Sequence, residues 1–196
     1  FPSREFYSGE LEADQAVIDW TLADLELETP SGPLMKKIFD PAQPVIFLDT
    51  VENSSGEESV KDSKSYYNRV EGEISVQILE AALEAGLDPV EVALISPYKD
   101  QADWIRSRID EERVEIDTVD GFQGREKEMI ILSLVRTNHN RKIGFLKDLR
   151  RLNVSLTRAK KKLVIIGHSP TIGSHPCYRR LIEYVREAGG LINLKC

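Results

Sequence analysis

Five short runs of apolar, largely β-branched residues, with almost no polar alternation inside them, set what this chain can become. They lie at residues 45–48, 92–95, 114–119, 129–135 and 163–167. A strand with one wet face alternates apolar and polar residues, whereas Val-Ile-Phe-Leu and Met-Ile-Ile-Leu-Ser-Leu-Val do not. Such runs are expected as strands covered on both faces. Helical spacing fills the gaps between them. Residues 71–85 place Ile74, Ile78, Ala81, Ala82 and Ala85 three or four apart, and Gly86 is a natural stop. Residues 99–109 (Trp104, Ile105, Ile109), 148–160 (Leu149, Leu152, Leu156, Ala159) and 176–188 (Leu181, Ile182, Val185) repeat the pattern. Strands alternating with helices predict a single α/β domain, a mostly parallel sheet flanked by helices. Residues 52–64, polar and Ser-rich, read as a mobile loop, and residues 29–44, with four prolines, as an irregular connection. The sequence carries no internal repeat.

With 196 residues, 41% hydrophobic and 30% charged, the chain can bury a core of ordinary size. Its two cysteines, Cys177 and Cys196, are too few for a disulfide framework and too far apart for a zinc cluster. No apolar run reaches the ~18 residues of a membrane span, and no signal peptide opens the sequence, so a soluble, monomeric protein of the cytoplasm, or of the nucleus in a eukaryote, is expected. The net charge of −7 conceals a division. Residues 1–100 hold 7 Lys+Arg against 21 Asp+Glu, while residues 101–196 hold 19 against 12. Within 136–162, ten basic residues face one acid, Asp148. That stripe is compatible with a local phosphate-binding surface, and equally with a solvated basic face.

Ligands of open parallel sheets bind beyond the carboxyl ends of the strands. Four segments are expected there: 96–101 (Ser-Pro-Tyr-Lys-Asp-Gln), 118–126 (Thr-Val-Asp-Gly-Phe-Gln-Gly-Arg-Glu), 135–138 (Val-Arg-Thr-Asn) and 167–169 (Gly-His-Ser). They offer small hydroxyls, amides, a guanidinium and glycines that expose backbone N–H groups, all suited to phosphate or nucleotide. The same residue types also turn and cap strand–helix junctions, so singly they decide nothing.

In order, they resemble a known family. Thr118-Val-Asp-Gly-Phe-Gln-Gly-Arg-Glu-Lys-Glu-Met-Ile-Ile-Leu-Ser-Leu-Val-Arg-Thr-Asn138 resembles motif V of superfamily 1 helicases of the up-frameshift type. Leu152-Asn-Val-Ser-Leu-Thr-Arg-Ala-Lys160 is similar to their motif VI, and Phe1-Pro-Ser-Arg-Glu-Phe-Tyr-Ser-Gly-Glu-Leu11 to the stretch after motif IV. Ser96-Pro-Tyr-Lys-Asp-Gln101 has its counterpart in the same order. The resemblance runs over nearly the whole chain and implies that residues 1–196 are the second RecA-like domain of an ATP-dependent helicase of that branch, a group that includes RNA and DNA translocases moving 5′ to 3′.

By that resemblance Arg158 is the arginine finger on the γ-phosphate of ATP. Glu126 is the acid that accepts from the ribose hydroxyls, Gly124 permits close backbone approach to nucleotide, and Gln123 is a cleft residue. Thr118 is implied as a phosphate contact for single-stranded DNA or RNA. Pro97, Tyr98, Arg136 and Asn138 are further nucleic-acid candidates, although an aromatic after a strand is as often packing. The sequence has no G-x-x-x-x-G-K-[ST] phosphate loop and no Asp-Glu pair ending a strand. The family holds both, with the Mg²⁺, in a first RecA-like domain expected in cis, so this chain alone is expected to be inactive. A non-catalytic module binding single strands or a protein is the competing reading. A nuclease is disfavoured, because Asp49, Asp117 and Asp120 lack the spacing of a metal-binding carboxylate cluster.

Overall fold

A computed structural model of the chain describes residues 1–12, 14, 19–52, 56–60 and 63–194. Parts of the Ser-rich loop expected to be mobile (53–55 and 61–62) lie outside these. Six strands form one sheet: β1 (Val45–Asp49), β2 (Val92–Ser96), β3 (Glu115–Thr118), β4 (Lys127–Ser133), β5 (Ala159–Gly167) and β6 (Leu191–Asn193). Their spatial order is β3-β2-β4-β5-β1-β6, and every pair runs parallel.

The unbroken apolar runs work because successive side chains leave a strand on opposite faces and both faces are covered. Ile46, Leu48, Val92, Leu94, Ile131, Val164 and Ile166 point to one side. There they meet Ile78, Leu79 and Ala82 of α3 (Arg69–Glu84), which follows α1 (Pro2–Phe6) and α2 (Pro33–Ile38) in the chain, and Ala102 and Ile105 of α4 (Lys99–Arg106). Phe47, Ala93, Ile95, Ile130, Leu132 and Ile165 point to the other. That side is closed by Leu152 of α5 (Leu149–Leu156) and by Leu181, Ile182 and Val185 of a helix at Pro176–Glu187. α3 starts where the Asn68 side chain accepts from Glu71 N–H (3.2 Å) and ends at Gly86, whose φ of +96° a side chain would strain.

Two expectations are corrected and one strand is added. Residues 29–44 are not wholly irregular: a helix at Pro33–Ile38 lies among the prolines, Pro33 at its first turn where a missing N–H costs nothing. The helix expected over 148–160 is α5, which stops at Leu156, because the Thr157 hydroxyl donates to the Asn153 and Val154 carbonyls and the following residues join the sheet beside β4. Edge strand β6, only three residues long, carries too little pattern to be seen in sequence. Gly190 leads into it because a Cβ there would collide with the Val45 carbonyl.

Candidate functional site

Parallel strands put all carboxyl ends along one edge of the sheet and all amino ends along the other. Arg158 immediately precedes β5 and Glu126 immediately precedes β4, so both sit at the amino edge. The chain there is stitched by Lys127 N–H donating to Arg158 C=O (3.0 Å). The Arg158 guanidinium is held on all sides: Nε donates to Val154 C=O (3.1 Å), Nη1 to Arg125 C=O (3.2 Å) and Nη2 to the Thr157 hydroxyl (3.0 Å). A carbonyl from the last turn of α5 is a favourable place for a cation. Nη1 also lies 3.9 Å from a Glu126 carboxylate oxygen. The arginine side chain is 17% exposed and that of Glu126 51%, so a locked cation stands beside an accessible acceptor. Gly124, two residues before Glu126, is exposed with φ +85° and open space where a Cβ would be, and Gln123 is exposed beside it.

Thr118, Pro97, Arg136 and Asn138 lie at the carboxyl edge. The sequence had placed all of 118–126 there, and this is corrected. Residues 119–126 return from the end of β3 to the start of β4 across β2, whose Ser96 is level with Thr118. Phe122, fully buried in the second core cluster, pins this strap to the sheet. Its start is held by Phe122 N–H on Thr118 C=O (2.9 Å) and its end by Arg125, which pairs with Glu115 and with Asp117 (3.2 Å). One eight-residue segment thus joins the edge bearing Thr118 to the edge bearing Glu126 and Arg158.

The Thr118 hydroxyl is half-buried and accepts from Gly121 N–H (3.1 Å). Pro97 lines a groove with Thr118, Lys99, Asp120, Phe145 and Arg151. Tyr98 does not present its ring to solvent: it is 1% exposed in the core. Its hydroxyl donates to Ile143 C=O (3.4 Å) and accepts from Arg136 Nη1 and Phe145 N–H (both 3.2 Å). Arg136 is buried too, paired with Glu57 at 2.7 Å, and so is no surface phosphate contact. The Asn138 side chain is spent on backbone and Glu57, donating to Lys142 C=O (2.9 Å) and accepting from Lys142 N–H (2.8 Å). These three residues shape the carboxyl edge from beneath.

Two residues essential to that shaping carry no motif signal. Glu57, inside the Ser-rich loop, accepts from Thr137 N–H (2.5 Å) and Asn138 as well as pairing with Arg136. Glu71 is fully buried and takes the Ser133 hydroxyl (2.8 Å) and Val135 N–H (2.7 Å) on one oxygen. Burial pushes its carboxyl up to about 7, against the lowering by those two bonds. It steadies Val135, whose φ of +71° is costly for a β-branched residue. Gln101 completes the network, donating to Ser133 Oγ (3.1 Å) and accepting from Asn68 N–H (2.7 Å). In sequence Glu71 reads only as a first-turn acid of a helix. Among the described residues no group of three or more His, Cys, Asp or Glu is placed to hold a metal ion, and no helix is long and apolar enough to cross a membrane. Asp49, one of the strand-end acids, serves as a cap, accepting from Ser169 N–H (3.1 Å).

Comparison with known proteins gives a concordant picture. The model of a family described as an AAA domain matches residues 1–170. An ATP-dependent helicase of Methanocaldococcus jannaschii is 39% identical over 95% of this chain and 27% of its own length. A regulator of nonsense transcripts 1 homolog of Neurospora crassa is 34% identical over 98% of this chain and 17% of its own. DNA-binding protein SMUBP-2 of Rattus norvegicus is 34% identical over 95% of this chain and 18% of its own. The chain therefore spans about a quarter or less of the length of these relatives.

Proposed function

The chain belongs to the AAA-domain family, as a C-terminal domain of the up-frameshift-type superfamily 1 helicases, and from that premise we propose that it is the second motor lobe of an ATP-driven nucleic-acid translocase. The observation that carries this reading is Arg158 and Glu126 side by side on one edge, the first fixed and the second open.

Hydrolysis of the γ-phosphate is largely a matter of positioning and charge neutralisation. Arg158 would direct its permanent planar charge at the equatorial oxygens of the transferring group, with its orientation set in advance by three hydrogen bonds. Glu126 would accept from the ribose hydroxyls, and Gly124 would let the backbone approach the nucleotide. The phosphate loop and the carboxylates that bind Mg²⁺ belong, in this reading, to a first RecA-like lobe in cis, for which the greater length of the relatives leaves room. The metal, when bound there, neutralises charge between phosphates. A single strand of DNA or RNA would lie along the opposite edge, over Thr118 and Pro97. The strap 119–126 would carry the nucleotide state between the edges, since one short segment runs from Thr118 to Glu126.

In the intact protein, Arg158→Ala is expected to lower ATP turnover by ~10³-fold or more while nucleotide affinity is largely kept. Arg158→Lys should fare little better, because an ammonium cannot make the same three bonds. Steady-state hydrolysis beside nucleotide titration reads both, and the chain alone is the control, with negligible turnover. Turnover within about threefold of the parent would remove the finger from Arg158.

A further inference from the structure

The carboxyl-edge groove holds one residue that neither motif reading nor its neighbours' chemistry accounts for. Phe145 is 53% exposed, an apolar ring left in water where it lines a hollow of about 470 Å³. It is nonetheless held in place. Its N–H donates to the buried Tyr98 hydroxyl (3.2 Å), and its ring leans on that of Tyr98 with centroids 5.6 Å apart. Leu146 beside it is sunk in the core. Gly144 before it is obligatory, because a Cβ would strike the Arg136 guanidinium and the Tyr98 hydroxyl. The buried Glu57–Arg136–Tyr98 chain therefore ends in a displayed aromatic face.

The remaining walls suit a polyanion with planar bases. Lys64, Lys99 and Arg151 line the groove against Asp100 and Asp120, and Asp120 is already engaged by Arg151 (2.8 Å). Thr118 supplies a hydroxyl and Pro97 a flat apolar surface. We infer that Phe145 is a stacking platform for one base of a single strand whose phosphates run past Lys99 and Thr118. The inference rests on the proposed single-strand-binding role and adds how the strand is gripped. Stacking is indifferent to base identity, since every base has a π-face, so the platform would give grip without sequence preference.

The test is fluorescence anisotropy of the full 196-residue chain at low ionic strength, with a labelled oligothymidylate and an abasic oligomer of equal length. The wild-type chain should prefer the base-bearing strand by about tenfold. Phe145→Ala should erase that preference and leave the abasic affinity unchanged, and Phe145→Trp should restore it. Thermal melts are expected to match, as the ring is half in solvent. Equal wild-type affinity for the two oligomers, an unchanged Phe145→Ala variant, or a loss shared by both oligomers would each overturn the platform while leaving a phosphate-only grip. Binding of neither oligomer by the wild-type chain would overturn the single-strand reading itself, and the platform with it.

Discussion

At the scale of single residues, what distinguishes this molecule is how much polar chemistry is kept out of water to fix backbone. Glu71 is the extreme case. Its ordinary carboxylate would be ionised from about pH 4.5 upward, but burial holds its pKa at about 7. Between those values the folded chain keeps a proton that the unfolded chain has lost, so stability falls as pH rises from about 4.5 to about 7 and is flat beyond. The full shift corresponds to about 3 kcal/mol at most. Glu71→Gln keeps an acceptor for Ser133 and Val135 but cannot ionise. Its stability relative to the parent, read from urea unfolding at pH 5 and pH 7.5, should therefore improve by up to that amount. Parallel pH profiles would mean that Glu71 ionises as it does in water and is not sealed beneath Val135.

At the scale of elements, legibility followed continuity of burial. β1, β2, β4 and most of β5 could be read directly because both of their faces are covered, and such burial leaves an unbroken apolar run. The carboxyl end of α5 misled because Ala159 continues the spacing of Leu149, Leu152 and Leu156 although it belongs to β5, where it packs in the same core cluster. Arg158 was singled out as a candidate by its neighbours in sequence, yet its placement at the amino edge required the sheet topology. The Ser-rich loop was legible only as polar. Composition records no partner, and the partner of Glu57 lies 79 residues away in Arg136. That contact makes residues 56–60 a clamp on the end of the β4 connection. Glu57→Ala would leave a buried guanidinium without its counter-ion, a change expected to destabilise the fold by about 3 kcal/mol in chemical denaturation. A loss of less than about 0.5 kcal/mol, in the range of ordinary surface substitutions, would show that the clamp closes on nothing.

At the scale of the whole molecule, charge is as divided as the edges are. Residues 1–100 carry a net negative charge and the rest a net positive one, so the overall balance gives no general attraction for a nucleic acid. A chain of net −7 can therefore hold a strand only where cations are gathered, which on the carboxyl edge means Lys64, Lys99 and Arg151. Each phosphate neutralised on a single strand contributes about −0.7 to the slope of log affinity against log salt. Three cations set that slope at about −2, and less steeply if Arg151 stays with Asp120. Titrations of one oligonucleotide over a series of salt concentrations should give this value, and Lys99→Met should flatten it by about 0.7. A slope near zero would mean that the phosphates are not touched. One several-fold steeper would mean that the strand spreads over the basic stripe at 136–162 instead of lying in the groove. The proposed coupling needs the shallow value: a strand gripped at a few points beside Thr118 can be released by a small movement of the strap, whereas one spread over the exposed cations of that stripe cannot.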